Sequence, residues 1–330
     1  MGTCTASPGR SRPPTSSASP TACGDPLTPA IETVGLRKEY GRKIALHGLD
    51  LTVQPGEVFG FLGPNGAGKT TTIKILLGLV RPTSGEARLF GRPAGESEAR
   101  RRIGYLPENF RFHDWLTGAA LLEFHARLAG VSPAERRARI PAVLDQVGLR
   151  GRGDDRIRGY SKGMTQRIGL AQAIIHAPDL VLLDEPTSAL DPVGRREVRD
   201  LIRSLRERGM TVFLNSHLLS EVEMVCDRVA IVDGGQVVRS GRLTDLIGGV
   251  LELRVSVDRV DPGLLDLLAA YGTVNRVQDC TATLGVSDLE VAPVLADALV
   301  RAGYRLYGLV PSHQSLEDLF LSLVQTTSDG

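Results

Sequence analysis

Apolar positions along this chain fall into successive regimes. From Ile31 they alternate or cluster in short blocks bounded by turn residues: Ile31 to Leu36, Ala45 to Val53, and Val58 to Leu62, the last running straight into a glycine-rich stretch. The spacing predicts three strands, the third feeding a loop and then a helix. Pro82-Thr83-Ser84-Gly85 predicts a turn back into a strand at Ala87 to Phe90, and another short strand ends at Tyr105-Leu106-Pro107. Between about 109 and 160 the spacing is helical and arginine-rich, clearest over Ala119 to Leu128 and Pro133 to Val147, which predicts a helical insert. Strands resume at Leu180 to Leu183, Thr211 to Asn215 and Val229 to Val232, with helical patterns around Gly163 to His176 and Gly194 to Arg208 between them. Strand and helix alternating in this way predict an α/β fold, a mostly parallel sheet with helices on both faces.

After about residue 247 the grammar changes. Strand Leu251 to Val257, helix Gly263 to Tyr271, strands Val274 to Gln278 and Thr281 to Val286, helix Val291 to Ala302 and strand Arg305 to Val310 read as β-α-β-β-α-β, a small ferredoxin-like α+β unit, with a final helix at Leu316 to Val324. The first 29 residues are rich in Ser, Thr and Pro and read as a disordered tail. They hold no apolar core of export-signal length, and Ala6 stands where a myristoylation pattern needs Ser or Thr. The expected organisation is a tail over 1–29, a main domain over 30–246 and an accessory domain over 247–330.

Composition narrows the classes. At 330 residues and 42% hydrophobic content the chain can pack two cores. With 39 basic against 38 acidic residues there is no overall field to attract nucleic acid, and none is expected as a partner. Cys4, Cys23, Cys226 and Cys280 lack metal-ligand or disulfide spacing and fit a reducing interior; no histidine–cysteine cluster suggests a transition metal. Apolar runs such as Ile73 to Val80 fall far below the roughly 18 to 20 residues that cross a bilayer, so work at a membrane requires a separate spanning partner. Arg100 to Arg102 and Arg136 to Arg139 read first as solvated helix faces, with anionic headgroups or a partner's loops as the alternative contacts.

Two segments carry chemistry. Gly63-Pro64-Asn65-Gly66-Ala67-Gly68-Lys69-Thr70 fits G-x-x-x-x-G-K-[ST], in which glycines let backbone N–H groups close around phosphates where a helix begins. Lys69 is then expected to reach the β- and γ-phosphates and Thr70 to place its hydroxyl on Mg²⁺, with Thr71 next in the cradle. Val181-Leu182-Leu183-Asp184-Glu185 is an apolar strand ending in two carboxylates: Asp184 suits the metal shell and Glu185 can accept a proton from an attacking water. Two acids ending a strand are often only a solvated turn or a helix cap; the phosphate loop upstream changes that weighting.

The order of motifs supplies a resemblance. Ser161-Lys162-Gly163-Met164 lies ahead of the acidic pair, and residues 31 to about 245 resemble the nucleotide-binding domain of ABC transporters, a P-loop NTPase core with an antiparallel β subdomain. The resemblance implies a set of roles. Tyr40 would stack on adenine, the Ser188-Ala189-Leu190-Asp191 loop would cross a dimer seam, and His217 would sense the γ-phosphate. Ser161 and Gly163 of one subunit would close on the phosphate held by the other subunit's Lys69. It implies ATP and Mg²⁺ as ligands and a head-to-tail homodimer, or heterodimer with a related subunit. Hydrolysis would be coupled to transport through a separate transmembrane permease at the inner face of the cell membrane, the subunit itself being cytoplasmic. Glu108 departs from the family's usual Gln; as a carboxylate near the metal it joins Thr70 and Asp184 as a candidate ligand and Glu185 and His217 as a candidate catalytic group. Tyr160-Ser161-Lys162-Gly163-Met164 replaces the usual Leu-Ser-Gly-Gly-Gln. Both departures, and the Ser315-Leu316-Glu317-Asp318-Leu319-Phe320 stretch, are similar to a subgroup of bacterial exporters of drugs, lipids or polysaccharides. The alternatives are an importer ATPase, or a soluble ABC ATPase working on ribosomes or DNA; the latter relatives carry a second ATPase domain or long inserts that this sequence lacks.

Overall fold

The computed structural model describes residues 28–188, 190–247, 251–313 and 315–328; residues 1–27, and so nearly all of the expected tail, lie outside the described residues. In chain order the elements are β1 (Ile31–Tyr40), β2 (Lys43–Val53), β3 (Val58–Leu62), α1 (Lys69–Leu76), β4 (Ser84–Leu89), β5 (Arg92–Pro93), α2 (Ser97–Arg101) and β6 (Ile103–Leu106). The helices α3 (Gly118–Leu128), α4 (Pro133–Gln146) and α5 (Lys162–Ile174) follow. Then come β7 (Leu180–Asp184), α6 (Pro192–Glu207), β8 (Thr211–Asn215), α7 (Leu219–Val225), β9 (Arg228–Asp233), β10 (Gln236–Arg242) and α8 (Leu243–Ile247). The C-terminal elements are β11 (Leu251–Val257), α9 (Pro262–Ala269), β12 (Thr273–Gln278), β13 (Thr281–Val286), α10 (Val291–Arg301), β14 (Leu306–His313) and α11 (Leu316–Ser328).

The central sheet has the order β10-β9-β3-β8-β7-β6, parallel from β9 to β6, with β10 antiparallel at its edge. Every residue of β3, β7 and β8 is buried, as a parallel sheet covered on both faces requires, which is why these strands read as unbroken apolar runs. Pleating sends alternate side chains to two cores. Val58, Leu183 and Leu214 join the helices α3 to α7, while Phe59, Phe61 and Phe213 join α1 and the antiparallel sheet β2-β1-β4-β5. Phe213 stacks on Phe59 with ring centroids 6.0 Å apart, pinning β8 to β3 beneath the phosphate loop. Because β3, β7 and β8 run parallel, Leu62, Asp184 and Asn215 end on one edge, where ligands of open α/β sheets bind.

The structure departs locally from the expected elements. β1 extends to Tyr40, which pairs with Lys43 across the Gly41-Arg42 turn, so the expected adenine-facing residue ends the first strand of a hairpin. The periodicity of the sequence does not mark β10, α2 and α7: the helices are too short for a 3.6-residue period to register, and β10 is a mostly exposed edge. The arginine-rich stretches are only partly solvated faces. Arg102 pairs with Asp179 at 2.5 Å and lies over the Phe90 ring at 3.8 Å, while Arg136, 14% exposed, pairs with Glu123 at 2.7 Å.

The C-terminal sheet has the order β12-β13-β11-β14 with every pairing antiparallel, the ferredoxin-like arrangement, and its own core around Leu253, Val255, Leu284, Leu295 and Leu299. α11 then leaves that core. Leu316 is fully buried in the core of the parallel sheet, where Leu319 and Phe320 also pack. Ser315 and Asp318 cap the helix start reciprocally, Leu316 N–H donates to Glu223 Oε2 at 3.2 Å, and Asp318 pairs with Arg276 of β12 at 3.3 Å.

Candidate nucleotide site

The phosphate loop is a turn that tolerates no side chain at its tightest points. A Cβ on Gly63 would lie 2.2 Å from the Val232 carbonyl oxygen, and Gly68, at φ 96°, would place one 2.6 Å from the Ala45 carbonyl. Gly68 is the N-cap of α1 and offers no side-chain cap, and no acid stands in the first turn. The positive end of the helix is therefore left for an anion. Lys69 Nζ donates to the carbonyls of Gly63 at 2.7 Å and Pro64 at 3.0 Å. Burial pushes this ammonium below its ordinary pKa, and the carboxylates of Glu185, Asp184 and Glu108 oppose that shift.

Tyr40, Lys43, Ala45, Asn65, Gly66, Gly68, Lys69, Thr70 and Thr71 line one cleft of about 410 Å³. Tyr40 is 47% exposed, with Lys38 Nζ 5.0 Å from its ring centroid, leaving aromatic surface open at the cleft mouth. Ala67 instead turns its methyl into the core and its N–H to Pro64 O at 3.2 Å.

Asp184 and Asn215 are register partners on β7 and β8. Asn215 Nδ2 donates to Asp184 Oδ1 at 2.5 Å, and the Asn215 carbonyl accepts the Glu185 N–H at 2.9 Å. Burial raises the Asp184 carboxyl above the ordinary aspartate value; the Asn215 bond opposes this, the Glu108 charge adds to it, and Lys69 opposes it. Burial, followed by the charges of Asp184 and Glu108, pushes the Tyr105 hydroxyl up to about 12. Glu108, itself exposed, thus belongs to the same electrostatic neighbourhood as Asp184 and Lys69.

Three carboxylates around one ammonium leave negative charge for a hard cation. Among the described residues no group of three or more His, Cys, Asp or Glu is arranged to hold a metal by itself. Asp184, Glu108 and the Thr70 hydroxyl nevertheless suit Mg²⁺, which binds through one or two carboxylates and completes its shell with water and phosphate oxygens.

Glu185 carries the most unusual geometry. Its φ of 53° is left-handed, a conformation that non-glycine residues hold only when their surroundings impose it. It is 7% exposed, and Oε1 accepts the His217 backbone N–H at 2.9 Å. His217 Nδ1 lies 2.8 Å from Oε2 without hydrogen-bond alignment, so Oε2 is a buried acceptor with no hydrogen-bond partner.

Of the expected site residues, Gly63, Pro64, Ala67, Glu108, Asp184 and Glu185 do not line the phosphate cleft, and neither do Ser161, Gly163, Asp191 and His217. Ser161 caps α5, its Oγ accepting the Met164 N–H at 3.2 Å, and Asp191 caps α6, accepting the Gly194 N–H at 2.7 Å. A Cβ on Gly163 would lie 3.6 Å from Leu190, so the signature segment and the loop before α6 lie together; Ala189 of that loop lies outside the described residues. Sequence reasoning missed Asn215, and also Gln166, whose buried Nε2 donates to Pro186 O at 2.9 Å behind Glu185. The available signal was an amide closing an otherwise apolar strand, Thr-Val-Phe-Leu-Asn.

The ABC transporter family pattern matches residues 46–188. An ABC transporter ATP-binding protein of Nostoc sp. is 42% identical over 309 residues, covering 90% of this chain and 91% of that protein. The chain belongs to the ABC transporter ATP-binding family. The Nod factor export ATP-binding protein I of Cupriavidus metallidurans is another relative of this ABC ATPase subunit, 36% identical over 302 residues, with 90% and 98% of the two chains covered. Among solved structures, the dimeric ATP-binding cassette MJ0796 in a post-hydrolysis state with ADP and Pi is 27% identical with a TM-score of 0.58, covering 64% of this chain and 98% of that one. The family match spans the phosphate loop, Glu108, the signature segment and the Asp184-Glu185 pair of this ABC ATPase subunit, while Tyr40, Asp191 and His217 fall outside it.

Proposed function

We propose that this ABC ATPase subunit is the motor of an exporter of drugs, lipids or polysaccharides, hydrolysing ATP in a head-to-tail pair beneath a separate permease. The observation that carries the hydrolytic reading is Glu185, which follows the buried Asp184 and holds its carboxylate against His217, Oε1 on the backbone N–H and Oε2 2.8 Å from the ring Nδ1. Backbone amides of the phosphate loop and the start of α1 bind the β- and γ-phosphates. Lys69 exchanges the carbonyls of Gly63 and Pro64 for phosphate oxygens. Thr70, Asp184 and Glu108 would hold Mg²⁺, which when bound would offset phosphate charge. Glu185 Oε2 takes the proton of the attacking water, and His217 reads the γ-phosphate from the adjoining loop.

Pairing is supported by the dimeric state of the related MJ0796. In that pair the partner's α5 start, capped by Ser161 and free of acids in its first turn, meets the phosphate. Export is supported by the Nod factor relative and by the Glu108, Lys162 and Met164 forms. We read residues 30–246 as the motor domain and 247–330 as the accessory one. No helix among the described residues is long and apolar enough to cross a membrane. A groove of about 1,110 Å³ beside Pro107 exposes Trp115 and Phe124, and its lining includes Arg100, Arg101 and Arg111 but no Asp or Glu. Such a surface fits an acidic cytoplasmic segment of the permease.

Glu185→Gln keeps the side chain's shape and removes the base. Steady-state ATP hydrolysis should stop while nucleotide binding persists and an ATP-bound dimer accumulates on gel filtration. Turnover at the unmodified rate in that variant refutes the assignment.

A further inference from the structure

Helix α7, seven residues long, begins two residues after His217 and cannot hold its place by its own backbone bonds. Its two acids fasten it on two sides. Arg199 Nη1, on α6, donates to both carboxylate oxygens of Glu221 at 2.9 and 2.8 Å, with the two side chains only 18% and 11% exposed. Glu223 accepts the Leu316 N–H of α11.

The Arg199–Glu221 pair joins two segments of the site without lining the cleft. Upstream of Glu221 the Leu218 N–H donates to Ser216 Oγ at 3.1 Å, and the His217 N–H holds Glu185 Oε1. Upstream of Arg199, about 12 Å along α6 at 1.5 Å per residue, Asp191 caps the helix beside Leu190 and Gly163. A change in the spacing of α6 and α7 is therefore a change in where the His217 amide sits relative to the loop before α6.

We propose that Arg199 and Glu221 are positioning residues for hydrolysis: their ion pair sets the spacing of α6 and α7 and so keeps the Glu185 carboxylate aimed, with Oε1 on the His217 N–H and Oε2 beside the His217 ring. The proposal rests on Glu185 acting as base. A nearly buried ion pair contributes little net stability over an apolar pair of similar volume, whereas removing one partner strands a charge. What the pair adds here is direction.

The test compares full-length chains carrying Glu221→Gln, Arg199→Met, and the apolar double variant Arg199→Met/Glu221→Leu, with Glu185→Gln in parallel. Saturating Mg-ATP kinetics are run well below each melting temperature. Each single variant should lower kcat ten- to a hundredfold, the scale of an ångström of misplacement, with KM for ATP within about twofold. The double variant should regain the melting temperature and leave kcat at least about tenfold low. A double variant that regains kcat together with melting temperature overturns the proposal, as does a folded Glu221→Gln chain with kcat within about twofold of the parent. Should the double variant fail to fold, the Glu221→Gln result alone decides. Turnover persisting in Glu185→Gln refutes the base assignment itself, a separate outcome.

Discussion

Asn215→Ala isolates one buried contact whose strength depends on charge. In the folded chain Asn215 Nδ2 is the side-chain donor to Asp184 Oδ1, and both residues are 3% exposed. Removing a hydrogen bond to an ionised group costs about 1.5–3 kcal/mol, against about 0.5–1.5 kcal/mol for a neutral pair. The vacated volume adds a cavity cost that does not vary with pH. Burial already raises the folded Asp184 carboxyl above its ordinary value, so the folded chain binds this proton more tightly than the unfolded chain and stability falls as pH rises through that range. Loss of the donor raises the carboxyl further. The variant's deficit is therefore complete where Asp184 is ionised in both proteins, and shrinks by about 1 kcal/mol as pH falls through the folded-state values. Urea denaturation of parent and variant at a series of pH values from about 7.5 downwards reads the difference directly, since the other titrating groups cancel. A deficit constant across the series refutes the reasoning, because only the cavity would then have been measured.

Gly63→Ala drives a methyl into the Val232 carbonyl, forcing β3 and β9 apart at the loop root; overpacking of this kind costs about 1–3 kcal/mol, and fluorescent-nucleotide titration should show at least a tenfold loss of affinity. Leu316→Ala removes a fully buried side chain from the core of the parallel sheet and should cost about 2–5 kcal/mol by denaturant titration, although Leu316 is the first residue of the last helix.

The elements that were legible in the sequence are those whose burial is total or whose chemistry is local. β3, β7 and β8 announce themselves because a strand covered on both faces must be apolar throughout, and the glycines announce the phosphate loop because backbone must approach phosphate there. Other features depend on what comes to lie beside what. The pairing of Asn215 with Asp184 is set by the register of β7 against β8, and the left-handed Glu185 is set by hydrogen bonds to Asn215 and His217, residues some thirty positions away. α7 has too few turns to show a period. Ser161 and Gly163 are legible as a motif, yet what brings them beside Leu190 is the packing of α5 against the loop before α6.

The return of α11 to the parallel-sheet core changes what the C-terminal sheet can do. Its start follows β10 and α8, while its end is sealed by Leu316, Leu319 and Phe320 against the core that also contains α7, with Asp318 reaching back to Arg276 of β12. The sheet's last connection is thus sealed into the parallel-sheet core, with Leu316 one hydrogen bond from the short helix that follows His217.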